Sequence, residues 1–165
     1  MSKNEKIYYE NFKDAVERNR KQIPAVHKKL KNAGVKYVLS SWIDLHGIPK
    51  SKPVPMSDFE QLCLGKGPQF AVHSISFVPE LTPADSDQVM LPDLNSVYIC
   101  PWDKTTAIIF ADLFWEEKPY NVCPRQALKR AMQKAQDSGY VGMAGIEPEF
   151  IAMKYDCLLY TSPSP

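Results

Sequence analysis

Residues 96–114 read Ser-Val-Tyr-Ile-Cys-Pro-Trp-Asp-Lys-Thr-Thr-Ala-Ile-Ile-Phe-Ala-Asp-Leu-Phe. Ser96–Cys100 and Thr105–Phe114 are rich in β-branched and aromatic residues, as strands are, and Pro101-Trp102-Asp103-Lys104 joins them as a hairpin-type turn. Downstream, Tyr120–Pro124 leads into a helix. Pro124 suits its first position, Leu128, Met132 and Ala135 form an apolar stripe, and Gly139 ends it. Gly142–Met153 then reads as a strand.

Upstream of the pair, residues 5–34 read as helical, with Phe12 and Val16, and then Val26 and Leu30, four apart. Pro24 either breaks this stretch or opens a second helix. Gly34 is a stop signal after Lys28, Lys29 and Lys31, whose charge suits the negative helix end. Val35–Leu45 alternates as a strand does, Asp44–Gly47 is a turn, and the prolines of Ile48–Pro55 restrict that segment to an edge strand or extended return. Ser57 and Glu60 have capping-box spacing for a short helix carrying Phe59, Leu62, Cys63 and Leu64, which Gly65-Lys66-Gly67-Pro68 ends. Gln69–Pro92 reads as a long, proline-punctuated loop, and loops of that length are often functional. The order is helix, strand, strand, helix, loop, two strands, helix, strand: an α+β pattern with a mixed or antiparallel sheet.

Composition narrows the function. The 165 residues are 44% hydrophobic, enough to close a core, and carry 20 basic against 19 acidic residues. A net charge of +1 lacks the electrostatic footprint of a nucleic-acid binder. No apolar run reaches the length of a membrane span, and the charged N-terminus has no secretory h-region. Cys63, Cys100, Cys123 and Cys157 lie far apart without a CxxC pair, as expected of reduced thiols in a cytoplasmic protein.

The sharpest chemical feature is Gly145-Ile146-Glu147-Pro148-Glu149-Phe150. On a strand, Glu147 and Glu149 face the same way about 6.5–7 Å apart at Cα. Two adjacent carboxylates repel, and a hard divalent cation relieves the repulsion through oxygen ligands. On spacing alone a solvated edge strand with two glutamates is the commoner arrangement. Other polar residues have ordinary readings beside functional ones. His46, near Asp44, suits a solvated turn, and His73 suits the long loop. Lys50 and Lys52 suit an edge strand guarded against aggregation. Asp85, Asp87 and Asp93 suit caps and turns. Trp42, Trp102 and Trp115 suit the core or an interface, and the cysteines suit buried thiols.

Taken in order, three segments resemble the glutamine synthetase family. WIDLHGIPKSKPVP (42–55) resembles its early strand–turn–strand. DSDQVMLPDLNSVYICPWDKTTAIIFADLFWEEKPYNVCPRQALKRA (85–131) resembles its aspartate–methionine–proline–aspartate loop, next two strands and first catalytic-domain helix. GIEPEF (145–150) resembles its first metal-binding strand. The resemblance covers residues 33–156, and its wording is most similar to the branch called type III glutamate–ammonia ligase, related to γ-glutamylmethylamide synthetase.

This resemblance implies an N-terminal helical segment (1–32), a β-grasp domain (33–119) and the first helix and strand of a glutamine synthetase-type catalytic domain (120–156). It implies an ATP-dependent ligase that phosphorylates the γ-carboxyl of glutamate, after which ammonia or a small alkylamine attacks the acyl phosphate. It further implies Mg²⁺ or Mn²⁺ with Glu147 and Glu149 as ligands of the two ions. Family members form stacked-ring homo-oligomers, with each active site shared between neighbouring subunits. Residues 69–92 would then reach a neighbour's site. Nucleotide-binding and further metal residues of the family lie downstream of these segments, so the 165 residues by themselves are expected to be inactive.

Ammonia-using members carry Phe-Asp-Gly-Ser-Ser in the long loop, and that aspartate helps bind ammonium. Here the run is Phe70-Ala71-Val72-His73-Ser74, and Ala71 supplies no charge, which favours an alkylamine. Residues 157–165, CLLYTSPSP, match nothing in the family and do match the translation of a transposon-type sequencing adapter, so they read as a non-native tail. Two other functions fit the residues: a non-catalytic structural or regulatory oligomer of the same family, and a stand-alone β-grasp binding module with both glutamates exposed.

Overall fold

The computed structural model describes residues 9–72 and 81–152. Helix α1 spans Phe12–Asn32. The Asn11 side chain accepts from the Asp14 backbone N–H at 3.0 Å, satisfying a donor left over at the helix start. At the other end Gly34 adopts φ +79°, a conformation costly for any residue with a Cβ. This turn lets the Val35 N–H reach the Leu30 carbonyl at 3.1 Å and places both side chains in the core. Pro24 neither breaks α1 nor opens a second helix. Its missing N–H frees only the carbonyl of Arg20, which lies on the exposed side, while Ala15, Asn19, Ile23 and Leu30 stay buried along the opposite face.

The strands are β1 (Tyr37–Ile43), β2 (Pro49–Pro55), β3 (Gln69–Ala71), β4 (Asp87–Ile99), β5 (Thr106–Trp115) and the two-residue β6 (Lys118–Pro119). They form one mixed sheet in the order β2-β1-β5-β4-β3, with β6 on β5. β1 and β5 run parallel, with Tyr37 opposite Thr106, and every other pairing is antiparallel. β2 is the expected proline-rich edge, paired from Tyr37–Pro55 to Ile43–Pro49.

β4 begins nine residues before Ser96, and β3 occupies the start of the expected long loop, so that loop is shorter than its prolines suggest. Pro92 sits inside β4 because the register shifts between Pro92 and Val97, where the ladder needs no N–H. The carbonyl of Pro92 still finds a partner, accepting from the buried Asn19 side chain at 2.9 Å.

The β1–β2 turn is built around Asp44. Its buried Oδ1 accepts from the backbone N–H groups of His46 and Ile48, both at 2.9 Å, and its Oδ2 meets Lys50 Nζ at 3.0 Å. Gly47, at φ +79°, supplies the left-handed corner. Burial raises the Asp44 pKa, but the Ile48 N–H, Lys50 and the His46 N–H outweigh it and hold the carboxyl below its ordinary value. A depressed folded-state pKa adds stability above the unfolded value of about 3.9, and this is lost as pH falls through the folded pKa. Asp44→Asn is therefore expected to be less stable than wild type at neutral pH. The difference should close under acid. Urea unfolding across a pH series checks this, and a constant difference would contradict it.

A 3₁₀ turn (Met56–Asp58) leads into the five-residue helix α2 (Phe59–Cys63). No side-chain cap forms, so Ser57 and Glu60 do not make the expected capping box: Ser57 lies inside the 3₁₀ turn, and the Phe59 N–H bonds the Met56 carbonyl instead. α2 persists because Phe59, Leu62 and Cys63 are fully buried with Ile23, Leu30, Val38, Val54 and Ile109. A second cluster joins Trp42, Phe70, Val72, Met90, Leu113 and Tyr120 at the opposite end of the sheet.

Helix α3 (Pro124–Asp137) has proline at its first turn and Gly139 at φ +81° beyond its end, as expected. Its stripe is not buried, however: Leu128 is 59% and Met132 41% exposed. Polar contacts from Arg125, Gln126 and Lys129 fix α3 to β5 and turn the stripe away from the sheet. Residues 141–152 form no strand and are exposed, because a strand has no hydrogen bonds of its own and none of the described strands pairs with them. Trp42 is buried and Trp115 half-buried, but Trp102 is 79% exposed and no part of the core.

Candidate functional site

The loop end at β3 is held from beneath. The Phe70 ring stacks on Trp42 with centroids 4.5 Å apart and planes 4° apart. Lys52 lies over the Phe70 ring at 5.8 Å and donates to the Gln69 carbonyl. Gln88, fully buried, donates to the Val72 carbonyl at 3.5 Å. Phe70 and Val72 thus anchor the residues on either side of Ala71, which is half-buried and pairs directly with Asp87 of β4. His73 and Ser74, the next residues of this run, lie outside the described residues.

A second polar assembly joins α3 to the sheet. Arg125 contacts Asp93 at 2.6 Å and Asp112 at 3.1 Å, and Lys129 contacts the other Asp112 oxygen. Asp93 keeps its expected turn role through the Asn95 N–H at 3.1 Å. The roles of Asp112, Arg125 and Lys129 went unanticipated. Their signal was the lone acid within Ala-Ile-Ile-Phe-Ala-Asp-Leu-Phe, followed by two bases four apart at a helix start.

Glu147 and Glu149 are exposed on the irregular segment, apart from any strand ladder. Their hard carboxylate oxygens suit Mg²⁺ or Mn²⁺ in kind. Among the described residues no group of three or more His, Cys, Asp or Glu side chains is assembled for a metal, so the donor set is incomplete in number. Lys50 is engaged by Asp44 and Lys52 by the β3 backbone, consistent with edge-strand roles. Asp85 accepts from the Thr82 N–H and hydroxyl, as a turn residue does. Cys63, Cys100 and Cys123 are buried free thiols. Burial pushes the Cys63 and Cys123 thiols above their ordinary pKa, which suppresses thiolate chemistry. Cys157 and the rest of 157–165 lie outside the described residues.

No protein-family model matches the chain. A glutamine synthetase of Rhizobium meliloti (strain 1021) is 36% identical over 123 residues, covering 74% of this chain and 28% of that protein. This chain is a glutamine synthetase homologue. A glutamate–methylamine ligase of Methyloversatilis universalis is 29% identical over 127 residues, covering 76% of the chain and 28% of that enzyme. Among solved structures, a GmaS/ADP complex superposes with TM-score 0.63 at 27% identity, covering 68% of this chain and 26% of the other. The homologue thus spans a little over a quarter of the length of the curated relatives it matches. Among the described residues no helix is long and apolar enough to cross a membrane.

Proposed function

We propose that this chain is the amino-terminal part of an ATP-dependent glutamate–amine ligase, in the branch that accepts small alkylamines. The observation that carries the reading is its similarity, over about the same three quarters of its length, to a glutamine synthetase and to a glutamate–methylamine ligase. Ala71 supports the alkylamine branch: it occupies an anchored strand end with a methyl group where a carboxylate would favour a small hydrated ammonium.

In this reading residues 33–119 are a β-grasp domain, a view supported by the parallel β1–β5 pair at the centre of the sheet. Residues 120–156 begin the catalytic domain, and the whole enzyme is a cytoplasmic homo-oligomer with shared sites. Glu147 and Glu149 would hold Mg²⁺ or Mn²⁺. Held by these two carboxylates, such a cation would supply charge neutralisation for phosphate oxygens. Glu147 and Glu149 supply negative oxygen donors, and Ala71 offers an uncharged surface to the incoming amine. Because no group of three or more metal donors is assembled among the described residues, this chain alone is expected to make no γ-glutamyl amide.

The test compares ammonia, methylamine and longer alkylamines as substrates of the complete enzyme, by phosphate release and amide product. The expected result is kcat/KM for methylamine at least equal to that for ammonia. A strong preference for ammonia refutes the alkylamine assignment, and no phosphate release with any amine refutes the ligase.

A further inference from the structure

We propose that Asp87 supplies the negative charge that holds the amine substrate beside Ala71, as its ammonium form. This rests on the glutamate–amine ligase reading and adds a specificity-determining residue to it. Ala71 and Asp87 are directly opposite in the antiparallel β3–β4 ladder. Directly opposed residues share a face of the sheet, with Cβ atoms about 4.5–5.5 Å apart. Phe70 and Val72 are buried on the other face, so by strand alternation residue 71 presents its methyl on the face that carries the Asp87 carboxylate.

The neighbouring aspartates are engaged elsewhere. Asp85 is bound by Thr82, Asp93 and Asp112 by Arg125 and Lys129, and Asp44 by Lys50. Asp87 is exposed and has no ion pair or side-chain hydrogen bond among the described residues. Its carboxylate is available to a cation, and its neighbour across the ladder is a small apolar side chain. That pairing matches the chemistry of a short primary alkylammonium: the N–H donors reach the carboxylate, and the alkyl group lies against the methyl of Ala71. Moving the charge one strand away from position 71, about 4.8 Å, clears the volume that a substituent on nitrogen needs. An exposed single ion pair is weak, so the contact gains strength when a second surface closes over this face.

The experiment uses the complete ligase that contains this chain, with Asp87→Asn and, separately, Ala71→Asp. Asp87→Asn keeps shape and strand pairing and removes the charge. It is expected to raise KM for both methylamine and ammonium by roughly tenfold or more, the scale of a lost charged hydrogen bond. KM for glutamate and ATP should stay within about twofold, and the melting temperature should be unchanged. Ala71→Asp is expected to shift the kcat/KM ratio toward ammonia, because it fills the alkyl volume with a second carboxylate. If Asp87→Asn leaves both amine KM values within about twofold while wild type forms amide, the role of Asp87 is overturned and the ligase reading stands. An equal rise in KM for all three substrates would show a structural role and likewise overturn it. A wild-type enzyme that releases no phosphate with any amine removes the ligase reading, and the proposal with it.

Discussion

Phe59→Ala is expected to lower the unfolding free energy of the chain by about 4 kcal/mol, within the range for truncating a buried aromatic. Phe59 has 0% exposure and belongs to the cluster that joins α1, β1, β2, β4 and β5. His27 stacks against its ring with centroids 5.9 Å apart. α2 is five residues long, too short to hold itself by backbone hydrogen bonds, so this packing is what keeps it helical. The cavity would open between a long helix and a four-strand surface, neither of which can collapse to fill it. Urea unfolding followed by circular dichroism measures the loss. A change below 1.5 kcal/mol would mean that the site relaxes and that Phe59 is not a principal anchor.

Asp112→Ala is expected to cost about 3 kcal/mol, the lower end of the range for removing one partner of a buried ion pair. Asp112 is 4% exposed and receives both Arg125 and Lys129. Without it Lys129 has no anion in reach among the described contacts, and Arg125 keeps only Asp93. The lower end applies because both cations are long side chains at the sheet margin that can turn to water. The readout is local as well as global: amides of Pro124–Asp137 should lose hydrogen-exchange protection ahead of the β4–β5 ladder. Uniform loss across the sheet, or none at α3, would show that the helix is fastened by something else.

The residues that the sequence marked well are those whose physics is local. Gly34 and Gly47 both take the left-handed conformation their positions required, and Pro124 opens α3. The prolines of 49–55 fixed an edge strand, because no central strand can do without so many donors. Ser57 failed as a cap because the chain enters α2 through a 3₁₀ turn that contains Ser57, and single-sequence spacing does not register that turn. Pro24 and Pro92 misled in the same way: each removes one hydrogen bond, and tertiary packing decided that the loss fell where it was harmless.

For the candidate site, the motif Gly145–Phe150 and the substitution at Ala71 were legible, because both are statements about residue type. The facing of Ala71 by Asp87 was not, since cross-strand register depends on which strands meet. The same holds for Asp112 with Arg125 and Lys129, thirteen and seventeen residues away along the chain. By itself the sequence determined the local turns, the glycine stops after the helices, the α+β pattern and the kinship with the glutamine synthetases. Only the tertiary structure decided which strands are neighbours, which face of α3 meets the sheet, and that 141–152 stay unpaired. The reason is physical: helix ends and turns are stabilised by groups within a few residues, whereas a strand and an ion pair exist only when a distant partner arrives.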